Sequence, residues 1–120
     1  MTHPKSELYN YRCKLLRVID GDTIECDVDL GFYTWRKVIL RLADIDAPEI
    51  RTKDLKEKEA GLKAAYILEL KLLEENPEGI FYIKSNGVDS FGRSIATIFT
   101  ETGDDINMYL LESGNAKEWK

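Results

Sequence analysis

The chain has 120 residues, 43% of them apolar, which is enough for one compact core and too few for two ordinary domains. Its net charge of −5 excludes a protein that grips long nucleic acid through a broad basic surface, because such binding needs many Lys and Arg contacts to phosphates. Residues 1–41 carry seven basic and six acidic side chains against ten and sixteen in residues 42–120, so phosphate recognition has to be local, built from a few placed arginines.

Residues 1–8 read as a polar leader to a single domain spanning 1–120. Met1 to Tyr11 is too polar for a signal-peptide core, and no apolar run approaches the roughly 20 residues that span a bilayer, so a cytoplasmic protein with no membrane partner is expected. Tyr9 to Ile19 and Thr23 to Leu30 flank Asp20-Gly21-Asp22 as an antiparallel hairpin, with Ile24, Cys26, Val28 and Leu30 inward and Glu25, Asp27 and Asp29 outward. Pairing through a turn near Gly21 sets Cys13 opposite a position close to Asp29 and not Cys26, so two reduced, half-buried thiols are expected.

Gly31 to Thr34 reads as a turn and Trp35 to Ala43 as a third strand, in which Val38, Leu40 and Leu42 share one face. Lys37, Ile39 and Arg41 share the other, which sends Arg41 away from the core. After Pro48, the charged stretch Arg51 to Lys58 leads into a helix ending near Glu75, before Asn76-Pro77. Leu62, Tyr66, Leu70 and Leu73, with Ala65 and Leu72 beside them, form its expected core face.

Ile80 to Lys84 is a fourth strand, Ser85 to Gly92 a glycine-containing loop and Ser94 to Thr100 a fifth strand. Asp104 or Asp105 caps a short last helix, Ile106 to Ser113, with Gly114 at its end. The order βββαββα fits an α+β protein, a five-stranded Greek-key β-barrel of the OB type with helices, whose loops are a usual place for nucleic acid.

The chemistry concentrates in three segments: Asp20-Gly21-Asp22-Thr23, Arg41 to Glu49, and Asp89-Ser90-Phe91-Gly92-Arg93. Asp22 follows a tight turn and Asp46 leaves the third strand, so the strand ends can bring both carboxylates to one mouth of the barrel. Two carboxylates and a backbone carbonyl suit a hard divalent cation and leave positions for water and a substrate phosphate. Glu49 is held near the same mouth, where it can orient or deprotonate water. Arg41 and Arg93 bring guanidinium forks that match paired phosphate oxygens and the added charge of a pentacovalent transition state. Taken singly, Asp20 and Asp22 are better explained as turn formers and Asp46 as a cap of the Pro48 turn, and Asp44 reads as a structural acid.

From about Tyr9 to Lys117 the chain resembles the staphylococcal nuclease (thermonuclease-like) family. The resemblance rests on the three segments above, in this order and at these spacings. It rests also on Asn107-Met108-Tyr109-Leu110-Leu111 followed by Gly114-Asn115-Ala116-Lys117. It implies an OB-type barrel and Ca2+-dependent endonucleolytic hydrolysis of DNA and RNA to 3′-phosphate products. Asp22 and Asp46 then correspond to the calcium carboxylates, the Ala47 carbonyl to a further ligand, Arg41 and Arg93 to the phosphate-binding arginines, and Glu49 to the residue that activates or positions water.

Three departures stand out. Ala47 replaces the usual Thr, which keeps a main-chain ligand and loses a hydroxyl. Ser90 and Phe91 stand where Lys and Tyr are frequent, and Phe91 keeps an aromatic face for stacking on a base, in line with a preference for single strands. The chain stops at Lys120, where better-known members continue into a further helix, so either the neighbouring surface is trimmed to suit or another chain covers it in a homo-oligomer, with Trp119 and the apolar face of the last helix as the candidates for that contact. The alternative is a catalytically weak or inactive module of the same fold that binds nucleic acid or protein, although such modules usually lack one or more of the five matching carboxylates and arginines. A structural calcium protein is disfavoured, since no twelve-residue calcium loop is present.

Overall fold

The computed structural model describes residues 9–74 and 76–119, so the polar leader and the expected helix end at Glu75 lie outside the described residues. Strands β1 (Asn10–Asp20), β2 (Thr23–Asp29) and β3 (Trp35–Leu42) form an antiparallel meander; β4 (Ile45–Asp46), helix α1 (Leu55–Glu74), β5 (Ile80–Val88), β6 (Ser94–Phe99), helix α2 (Ile106–Glu112) and β7 (Lys117–Glu118) follow. The five long strands close into a barrel in the order β1-β2-β3-β6-β5, and β4 pairs with β7 in a separate ribbon. Closure comes from parallel pairing of β3 with β6, in the register Leu40↔Ser94, Arg41↔Ile95 and Leu42↔Ala96.

The alternation of β2 is observed: Ile24, Cys26 and Val28 are buried. Leu30, expected inward, lies past the strand end and is exposed. Both cysteines are free and fully buried, not half-buried, and they point into the barrel. Bulges between Leu15 and Arg17 and between Val18 and Asp20 shift the register, so Cys13 faces Val28, one position from the expected neighbour. The adjacent Cys26 thiol and burial push the Cys13 thiol far above its ordinary range, keeping it neutral.

Asp54 opens α1 by accepting the N–H groups of Lys56 and Glu57 at 3.0 and 3.3 Å. The helix buries a face turned from the one expected. Leu72 is buried as expected and Ala65 and Leu73 are half-buried, but Gly61, Ala64 and Leu68 complete the inward face, whereas Leu62, Tyr66 and Leu70 are exposed. Small residues decide this choice, because they let the helix backbone approach the β1–β2 turn. A Cβ on Gly21 would come within 2.6 Å of the Ala64 Cβ and 2.9 Å of the Ala47 Cβ. β5 runs four residues past its expected end at Lys84, which shortens the following loop. Asp105 caps α2 through Met108 N–H, and Gly114 ends it with φ +79°. Among the described residues, no helix is long and apolar enough to cross a membrane.

Candidate active site at one mouth of the barrel

The β1–β2 turn, the segment after β3 and the loop before β6 meet at a cleft of about 240 Å³, where Asp20, Asp22, Arg41, Asp46, Glu49 and Arg93 converge with Trp119. Asp22 is almost wholly buried and rigidly held. Its carbonyl accepts the Leu42 N–H at 2.8 Å, Oδ1 accepts the Thr23 hydroxyl at 2.8 Å, and Oδ2 accepts the Ala47 N–H at 2.8 Å. The Ala47 contact ties the first motif to the second.

Arg41 is 5% exposed, which corrects the expectation that its strand face carries it away from the core. The alternation of β3 ends at its last three residues, Leu40, Arg41 and Leu42, all buried beneath the closing segments. Burial of a guanidinium requires partners. Nη2 lies 3.5 Å from Asp22 Oδ2 and 3.6 Å from Asp46 Oδ1, and Nη1 donates to the Leu42 carbonyl at 3.0 Å. The Trp119 ring covers the group, with its centroid 5.2 Å from Cζ. Trp119, a candidate for a contact with another chain, packs on Arg41 within its own chain, and its backbone N–H donates to the Asp44 carbonyl at 3.0 Å. In the β4–β7 ribbon Asp46 pairs with Lys117 and Ile45 with Glu118, which carries the chain on to Trp119 over the cleft.

Asp89 organises the third motif. Oδ1 accepts the N–H groups of Phe91 and Arg93, both at 2.9 Å, and Oδ2 accepts Arg93 Nε at 2.7 Å. Desolvation raises its carboxyl, but the Arg93 N–H and guanidinium and the Phe91 N–H together bring it below its ordinary value. Arg93 is thereby aimed at the cleft, while Phe91 is 79% exposed with its ring centroid 5.4 Å from Arg93 Cζ. Asp20, to which sequence assigns only a turn, lines the cleft and accepts the Ile50 N–H at 3.4 Å. Burial raises its pKa, the Ile50 bond offsets part of that, and the charge of Asp22 adds to it.

Glu49 is exposed at the rim. Its backbone is fixed from behind by α1: a Cβ on Gly61 would meet the Glu49 carbonyl carbon and oxygen at 2.8 Å and the Pro48 oxygen at 2.9 Å. Asn107, quoted in the closing helix without a role, fastens the site from below. Its Nδ2 donates to the carbonyls of Ala43 and Ala96 at 3.0 and 3.2 Å, and Oδ1 accepts the Ile98 N–H at 3.1 Å.

The cleft combines four carboxylates with two guanidinium groups, a net charge of −2 where a phosphodiester would have to enter. One divalent cation cancels that charge. Among the described residues, no three His, Cys, Asp or Glu side chains form a closed metal cage. The oxygens that line the cleft, from carboxylates and the main chain, are hard donors, the kind that a hard divalent cation accepts in an open site.

The profile of the family described as staphylococcal nuclease homologue matches residues 39–120. The chain belongs to this family. Its barrel with two helices agrees with that membership. The chain is also similar to the succinoglycan biosynthesis protein ExoI of Rhizobium meliloti (strain 1021), with 35% identity over 103 residues, 82% of this chain and 48% of the relative. It is 29% identical over 118 residues to endonuclease YhcR of Bacillus subtilis (strain 168), covering 94% of this chain and 9% of that protein. The chain therefore spans about half the length of one curated relative and under a tenth of the other.

Proposed function

We propose that this chain is a Ca2+-dependent endonuclease that hydrolyses DNA and RNA to 3′-phosphate products, with a preference for single strands. The observation that carries the reading is the convergence of Asp22, Asp46, Glu49, Arg41 and Arg93, drawn from three separate segments, on one charged cleft. Family membership supports a nuclease-type role, and one of the relatives is named an endonuclease.

Asp22, Asp46 and the Ala47 carbonyl would hold the cation, which supplies positive charge to a phosphate oxygen. Arg41 and Arg93 bind the remaining phosphate oxygens and offset the charge added as water attacks. Arg41 is desolvated between its carboxylates and Trp119, and so needs little reorganisation. Glu49, exposed and with no hydrogen-bonded cation among the described residues, takes up or orients the proton of the attacking water. Phe91 offers a face for a base beside Arg93.

The test incubates the purified chain with denatured DNA and with RNA, in calcium and in chelator, beside the Glu49→Ala and Arg93→Ala variants. Calcium-dependent cleavage is expected, reduced about 10²- to 10⁴-fold in each variant, with melting unchanged in Glu49→Ala, whose side chain is exposed, and somewhat lowered in Arg93→Ala, which loses its bond to Asp89. A folded protein that cleaves neither polymer with any divalent metal would establish the alternative, a binding module of the same fold.

A further inference from the structure

The β2–β3 hairpin ends far from the cleft in two aromatic rings that contribute nothing to the core. Phe32 and Tyr33 are 98% and 103% exposed, and both hold left-handed backbone, with φ of 55° and 62°, a region that side-chain-bearing residues rarely adopt. Trp35, half exposed, continues the aromatic surface onto the outer face of the barrel. There the register aligns Tyr82, Arg12, Asp29 and Trp35 in one row, with the Arg12 guanidinium 5.8 Å from the Trp35 centroid. Lys14, Asp27 and Lys37 form the next row.

Charge on this face opposes that of the chain. On the outer face, away from the cleft, β1–β3 carry Arg12, Lys14, Arg17 and Lys37 against Glu25, Asp27 and Asp29, a net +1 on a protein of net −5. Two of the three acids are already engaged: Asp29 by Arg12 at 4.0 Å and the Gly31 N–H at 2.9 Å, Glu25 by Arg17 at 3.3 Å. β2 connects this surface to the site, running from Thr23 beside Asp22 to Asp29 at the tip. At ~3.4 Å per residue that is about 20 Å.

We propose that the aromatic hairpin tip and the basic outer face of β1–β3 form a contact surface for single-stranded nucleic acid, leading the strand toward the cleft. The proposal rests on the nuclease reading for its direction. Its chemistry stands on exposed rings beside cations, the combination that stacks unpaired bases and follows their phosphates. A duplex keeps its base faces stacked inside and cannot use the rings in this way.

Binding of a fluorescent oligo(dT) of about 12 nucleotides, within the site size of such folds, would be measured by anisotropy in chelator. The partners in the comparison are the native chain, Phe32→Gly/Tyr33→Gly, whose glycines accept the left-handed backbone, and Lys14→Glu/Lys37→Glu. The aromatic variant should bind about 10-fold more weakly or worse, and the charge variant should lose salt dependence. In calcium, the aromatic variant should show a raised KM for the oligonucleotide at unchanged kcat, while cleaving a dinucleotide, too short to reach the tip, as the native chain does. Unchanged oligonucleotide affinity overturns the proposal. So does unchanged oligonucleotide affinity with lost binding to phosphatidylserine vesicles, which would assign the tip to a membrane surface. If the native chain cleaves neither substrate, the nuclease reading fails, and the anisotropy measurement still decides the contact surface.

Discussion

Asp89 gives Arg93 its direction, and this makes a prediction in pH. Because its carboxyl is held below the ordinary value, its bonds stabilise the folded chain above the ordinary Asp pKa of about 3.9 and are lost as pH falls through the lower folded value. Asp89→Asn should therefore melt earlier than the native protein at neutral pH, with the difference closing as the solution is acidified below about pH 4. Gly61 supports a second prediction. Alanine there gains about 1 kcal/mol of helix propensity but drives a Cβ into the Glu49 and Pro48 backbone. Gly61→Ala should lower both melting temperature and cleavage rate; a rise in melting temperature would show that α1 does not brace Glu49. The site acids and arginines were legible as chemical types at informative spacings. The roles of Asp89, Asn107 and Trp119 were not, because Asp89 works within its own loop, Asn107 through the backbone of other elements and Trp119 through a ring over Arg41, and none of these leaves a periodic trace in its own segment.

At the scale of elements, the strands and both helices were readable from alternation, caps and turn residues, and α1 shows where that reading stops. Leucines occur on both of its faces, so apolar spacing alone selected Leu62, Tyr66 and Leu70. The decision belonged to Gly61 and Ala64, whose smallness permits contact with the Asp20–Thr23 turn and the Pro48–Glu49 segment. Urea unfolding separates the two faces. Leu68→Ala should cost roughly 2–5 kcal/mol as a cavity in the core, whereas Leu62→Ala should stay within about 0.5 kcal/mol. The two-residue strands β4 and β7 were invisible because so short a pair carries no alternation, and their pairing exists only once the barrel and α2 are in place.

Across the whole molecule, composition limited the answer to one domain with local phosphate recognition, and the −2 cleft within a −5 chain agrees with that limit. Barrel closure was the least accessible feature, since parallel pairing of β3 with β6 is a contact between distant segments and neither strand announces its partner. Arg41 and Arg93 reach one cleft only through that pairing, although 51 residues separate them in sequence. Contacts of such sequence separation form late and slowly during folding. The arginine pair is consequently a marker of completed closure. An anionic ligand such as a nucleotide that engages both arginines binds only the closed state and raises apparent stability in proportion to the logarithm of its concentration, so ligand-dependent melting would read out the last step of barrel assembly.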